Sequence, residues 1–331
     1  MLHLIRRVYC LADFLLIAQF VHPPPEDFYE FRIRRYMQFE EFKKIVADYM
    51  RTQIEPDCNV STQSFPKNNG IVLDGLVITH PERNISPTIY LNPYYGRYLD
   101  GVSMEDICKD IKETYFSHMP ETDFDVTQIE SFENAKDKII MKLINFEENE
   151  KRLDTLPYMR FLDMAIIFQY SVELENIGHG TITINNALFR KWDIPLEQIY
   201  EVALQNTPLL FPFLLKDILE YLPSFSSQEK YSEEGMYQRV YVLTNSRKIN
   251  GATVILYQNL LEQIAQKLGK DLILIPSSIH EVLLIPTDDV NGENLDYYNH
   301  MIQEVNETVL TDEEVLSSHV YCFSRKTSCL Y

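Results

Sequence analysis

Residues Asp271 to Pro286 read DLILIPSSIHEVLLIP, which sets Ser277, Ser278, His280 and Glu281 between two apolar runs. Hydroxyl, imidazole and carboxylate together are the side chains of nucleophilic catalysis, in which a histidine takes the serine proton and an acid orients the ring. The spacing works against that assembly. Successive side chains of a strand point to opposite faces, so His280 and Glu281 diverge and Glu281 cannot orient the imidazole. Ser278 and His280 share a face but lie about 6–7 Å apart at Cα, so the hydroxyl is reached only if the turn curls. Neither serine sits in a Gly-x-Ser-x-Gly elbow. The expectation is a hairpin with the two serines as turn formers. Ser278 and His280 stand as the catalytic candidates, and Ser277 and Glu281 as binding candidates.

The other chemistry-bearing residues are scattered. Eight histidines include no HExxH or equivalent close pair, and five cysteines (Cys10, Cys58, Cys108, Cys322, Cys329) include no CxxC. Neither a metal site nor a cofactor is expected. TDDVNGENLDYY echoes a calcium loop, but aligning Gly292 with the required glycine puts Thr287 and Tyr298 where carboxylates belong. No phosphate-cradling glycine motif is present. NGATVILY offers one glycine between a strand and a helix, with Thr253 as a cap; amides there could hold an anion, but a plain turn is the preferred reading. Asn206 and Asn245 are binding candidates at element ends, where Thr207 and Asn250 also lie, though local caps and turns account for most such residues. If the chain has a pocket, the place to look for it is where these ends meet the His280 turn.

Positioning these groups falls to a chain of 331 residues, 45% hydrophobic and 12% aromatic, enough for a sizeable core and unlike a disordered chain. The net charge of −19 disfavours direct binding to nucleic acid or to anionic membrane, both of which require clustered Lys and Arg. An acidic mimic of DNA is the converse possibility, but the acids are interleaved with bases rather than set in long runs. Residues 1–36 carry a basic start and an apolar stretch from Val8 to Val21 that Asp13 interrupts. They are read as an appendage or mis-set start, with a weak anchor or export signal as the alternative. That stretch is too short to span a bilayer.

From Met37 the spacing of Phe39, Phe42, Ile45, Val46, Tyr49 and Met50 predicts a helix. Three short alternating runs then predict an antiparallel meander with turns at Lys67–Gly70 and His80–Asn84. Ser103 should cap a helix carrying Met104, Ile107, Ile111 and Tyr115. Phe132 to Leu153 is read as helical and Met159 to Glu173 as one strand, with GTITINN as its hairpin partner. Asp193 is expected to cap the helix containing Ile199, Val202 and Ala203. Past the variable stretch Pro223–Gly235, strands and helices alternate as βαββαβ, the order of a split βαβ arrangement. The fold class is therefore α+β, with a helix-plus-meander part over 37–158 and a sheet-and-helix part over 159–331.

Several phrases in order are similar to a bacterial domain-of-unknown-function family, number 5688, found in gut Firmicutes. They are KNNGIVLDGLVI, NISPTIYLNPYY, RFLDMAIIF, GTITINNALFRKWDI, VALQNTP, YVLTNSRKINGATVILY, LILIPSSIHEVLLIP and VNETVLTDEEVLSSHVY, spanning Met37 to Arg325. The resemblance implies a cytoplasmic accessory protein, often carried among the cargo genes of mobile elements, and brings no activity or site residue with it. A non-enzymatic factor that engages another protein is the leading expectation. An enzyme using Ser278 and His280 and an acidic DNA mimic are the alternatives.

Overall fold

The computed structural model describes residues 37–174, 178–221 and 239–331. The opening segment 1–36 and the stretch Pro223–Gly235, both singled out above, lie outside the described residues. The chain divides into two compact units, each treated by itself: a first of residues 37–130 with 171–174 and 178–182, and a second of 131–170, 183–221 and 239–331.

The first unit begins with helix α1 (Phe39–Arg51), which buries Phe42, Val46, Ala47 and Met50. Ile45, counted inward from its spacing, is exposed because the buried stripe runs along the 42–46–50 ridge. Strands β1 (Asn59–Pro66) and β2 (Val72–Thr79) pair antiparallel from Pro66–Val72 to Asn59–Thr79. Their turn uses left-handed backbone at Asn69 and Gly70, the residue types that tolerate it. Strand β3 (Thr88–Tyr90) completes this sheet on β2. Helix α2 (Asn92–Leu99) follows, then α3 (Met104–Ser117), whose Ser103 cap accepts the Asp106 N–H at 3.1 Å. Ile107, Cys108, Ile111 and Tyr115 of α3 close the core with Leu76 and Ile78 of β2.

In the second unit, the segment expected to be helical over Phe132–Leu153 is helical only at its ends, Phe132–Ala135 and Glu150–Leu153. Its centre is strand β4 (Ile139–Asn145). A short continuous apolar run cannot be assigned from periodicity alone, and here the ladder to a later strand makes it extended. The single strand expected over Met159–Glu173 is a hairpin of β5 (Tyr158–Phe161) and β6 (Met164–Leu174), reversing at Leu162, whose φ is 56°. The sheet order is β4-β6-β5, and strand β7 (Gly178–Thr183) pairs with β6; residues 178–182 of β7 and 171–174 of β6 count with the first unit. Two hydroxyls serve the other side of β4. The Met141 N–H donates to Thr207 Oγ1 at 3.0 Å, and the Leu143 N–H to Thr253 Oγ1 at 3.2 Å.

Helices α4 (Asn186–Trp192) and α5 (Leu196–Leu210) come next. Asp193 does not cap α5: it ends α4 in a left-handed conformation, and Pro195 takes the cap position. The remaining sheet comprises β8 (Phe213–Asp217), β9 (Tyr241–Asn245), β10 (Asp271–Ser278), β11 (Glu281–Thr287), β12 (Tyr321–Ser324) and β13 (Cys329–Leu330). A 3₁₀ stretch (Gly251–Leu256) and helix α6 (Leu260–Leu268), ended by Gly269 at φ 68°, connect β9 to β10. Helix α7 (Leu295–Thr308) connects β11 to β12. The strand order is β13-β12-β10-β11-β9-β8 with every neighbour antiparallel, which leaves β9 and β10 parallel on either side of β11, as in a split βαβ unit. Ile273, Ile275, Ile285, Tyr298 and Ile302 form a core between the sheet and α7. Among the described residues no helix is long and apolar enough to cross a membrane.

Candidate functional site

Strands β10 and β11 are the two arms of the hairpin, closed by the pair Ser278–Glu281. Ser278 is fully buried, and its hydroxyl accepts the backbone N–H of His280 at 3.0 Å. The His280 ring is turned to other partners. Nδ1 accepts the Asn250 N–H at 3.2 Å, and Nε2 faces Glu314 Oε1 at 3.7 Å. A backbone N–H donated to Nδ1 requires a lone pair there, so the neutral ring carries its proton on Nε2. Ser277 donates to Glu281 Oε1 at 3.4 Å. The His280 carbonyl accepts the Thr244 hydroxyl at 2.7 Å, and the Ile279 N–H reaches the Glu314 carbonyl at 2.9 Å. These bonds fasten the turn from three sides.

Asn245 is near this turn. Its amide donates to the Ile249 carbonyl at 2.9 Å, and its oxygen accepts the Arg247 N–H at 3.0 Å, closing a local loop. Gly251 packs so closely that a Cβ would stand 2.1 Å from Thr244 Oγ1 and 2.3 Å from the His280 carbonyl oxygen. The amides considered for an anion are engaged: Ala252 N–H bonds the Ile279 carbonyl and Thr253 N–H the Asn250 carbonyl. Asn206 has separate work, donating to the carbonyls of Lys136 and Ile139 at 2.7 and 3.1 Å.

A second Ser-x-His repeats the geometry of the first. Ser317 Oγ accepts the His319 N–H at 3.0 Å, while Ser317 and Tyr321 both donate to Asp163 in the β5–β6 turn. His319 Nδ1 lies 3.3 Å from the same carboxylate, and its ring is mostly exposed. The residue types of a triad are assembled, but the serine gives its proton to the acid, not to the histidine. Burial, and then the hydrogen bond to Asp163, push the Tyr321 hydroxyl above its ordinary pKa, so it stays a donor. The cluster fastens the chain before β12 to the β5–β6 turn.

A small concavity of about 30 Å³ has Ser277 in its lining, and a larger one lies away from the turn. A groove of about 380 Å³ runs between Leu204 and Pro208 of α5, Phe213 of β8, and Tyr257 and Leu260 at the start of α6. Glu201, Gln205, Gln258 and Gln263 give it a polar rim. Pro208 has no N–H for the Leu204 carbonyl, and α5 ends two residues later. Tyr257 then anchors the exit by donating to the Phe211 carbonyl at 2.7 Å. Burial raises the pKa of that hydroxyl well above its usual value, which keeps it a donor. Around this exit Leu209 is 78% exposed, Phe213 47% and Leu210 39%. Among the described residues no strand lies beyond β8, so it forms an edge of its sheet. Sequence reading did not single out this surface, because LLFPF (Leu209–Phe213) carries no polar side chain to mark it.

In the first unit Glu55, Cys58 and His80 offer one ligand atom each within 4.8 Å of one another. Partial burial, then the charges of Asp57 and Glu55, hold the Cys58 thiol above its usual pKa, so by itself it is a poor nucleophile. The signal that could have found this group is the hairpin register. Lys67–Gly70 as the turn, with Asn59 opposite Thr79, sets Cys58 opposite His80.

No curated protein and no solved structure matches the chain. A family model described as "Family of unknown function (DUF5688)" matches residues 39–325, taking in every described strand but β13 and both surfaces above. The chain belongs to this family.

Proposed function

We propose that this protein is a non-enzymatic accessory factor of the bacterial cytoplasm that binds another protein by taking up an extended segment at the outer edge of β8. The observation that carries this reading is the exposure of Leu209, Leu210 and Phe213 beside an apolar groove and an edge strand. An edge strand gives main-chain hydrogen bonds to an added strand, and an adjoining pocket selects alternate side chains. Three glutamine amides on the rim suit a peptide backbone, since each both donates and accepts. Glu201 on that rim and the net charge of −19 favour a segment with apolar side chains and a basic flank. The four cysteines among the described residues are free thiols, which suits a reducing compartment.

The test uses the full chain as bait in lysate of the source cells, beside a Leu209→Asp/Phe213→Asp double variant and a Val72→Asp control in the first unit. The expected outcome is a stoichiometric partner kept by wild type and control and lost by the double variant. A peptide from that partner should slow amide exchange over residues 213–217. No stoichiometric partner, or one retained by the double variant, overturns the reading.

A further inference from the structure

The β1–β2 hairpin assembles three side chains with the donor atoms of a transition-metal site. Extending its register by one step from Asn59–Thr79 sets Cys58 opposite His80, and Cys58 Sγ lies 3.0 Å from His80 Nδ1. Glu55 returns to them through the turn after α1, which is closed by the Cys58 N–H on the Glu55 carbonyl at 3.1 Å. We propose that Glu55, Cys58 and His80 bind a single zinc ion, with its fourth position left to solvent.

Donor chemistry selects the cation. A thiolate with an imidazole is too soft a set for magnesium or calcium, whereas sulfur, nitrogen and one carboxylate oxygen in a four-coordinate shell suit zinc. Thiolate and carboxylate together neutralise the dication, and the Cys58 thiol gives its proton to solvent on binding. In a tetrahedral shell sulfur and nitrogen stand about 3.6 Å apart, given zinc bonds of about 2.3 and 2.1 Å. The Cys58–His80 pair therefore opens by about half an ångström. The exposed Glu55 side chain has room to swing in.

The ring is already oriented for this. His80 Nε2 lies 2.7 Å from the hydroxyl of Tyr115, which is fully buried on α3 and 3.3 Å from Ser86 Oγ. An Nε2–H donated to Tyr115 leaves the Nδ1 lone pair facing Cys58. That is the arrangement by which a buried acceptor fixes the tautomer of a metal-ligating histidine.

The experiment titrates the purified full-length protein with zinc alone by calorimetry, and with cobalt(II) alone by absorption spectroscopy. The expected result is one zinc per chain and a thiolate-to-cobalt band in the near ultraviolet. Both should be lost in Cys58→Ser, and zinc affinity should fall about tenfold or more in Tyr115→Phe. A cobalt complex without that band, or a band that survives Cys58→Ser, overturns the proposal, as does the absence of stoichiometric zinc. Should Cys58→Ser fail to fold, the wild-type cobalt spectrum with Glu55→Gln and His80→Asn decides it. Retention of the band at full strength in both variants overturns the site.

Discussion

Gly251 is held to glycine by the atoms around it rather than by its own dihedral angles. A methyl group there meets the Thr244 hydroxyl and the His280 carbonyl oxygen at distances no real Cβ adopts, and both are fastened to the same turn. Gly251→Ala should cost about 1–3 kcal/mol in urea unfolding, the usual cost of overpacking a filled site. A second residue-level test concerns Asp74, which Lys43 of α1 meets at 2.5 Å where both side chains are largely buried. The bond from Lys43, then that from Ser64, hold the Asp74 carboxyl below its ordinary value. The folded chain therefore prefers the charged form. Its contribution is complete above the unfolded value, about 4, and is lost as pH falls through the lower folded value. Asp74→Asn should cost about 1.5–3 kcal/mol at neutral pH, short of an orphaned buried charge because Glu40 still holds Lys43 at 2.7 Å. Urea midpoints followed from neutral to acid pH should decline less steeply in the variant than in wild type. Local spacing gave no sign of the capture of His280 by Asn250, thirty positions away.

At the scale of elements, β4 shows how an apolar run is steered. IIMKLIN sits between helix-forming lysines and glutamates, and no local signal separates a buried strand from a buried helix. What decides is a ladder to β6 on one side and the Thr207 and Thr253 hydroxyls on the other, which leave the Met141 and Leu143 amides satisfied. Thr253→Val keeps the shape and removes the hydroxyl, so it should cost about 1–3 kcal/mol and speed exchange of the Leu143 amide. Helix α3 was legible because its signals are local: a serine cap, then apolar residues at helical spacing. Ser103→Ala should lower stability by about 1 kcal/mol, read from the urea midpoint.

For the whole molecule, a net charge of −19 sets the terms of any encounter. Capture of a basic partner should weaken as salt rises towards about 1 M, where the screening length falls to about 3 Å; binding measured at a series of salt concentrations checks this. The sequence by itself determined the α+β class, the hairpins around Asn69–Gly70 and Ser277–Glu281, the βαββαβ order and the family. Each rests on local periodicity, turn chemistry or phrases of consecutive residues. Only the tertiary structure decided which distant groups meet. It gave Asp163 to Ser317 and Tyr321, and set Tyr115 on the ring of His80 opposite Cys58. It also left Leu209 and Phe213 exposed where their composition predicts burial. Strand register and helix packing join residues far apart in sequence, and no local pattern of side chains encodes those separations.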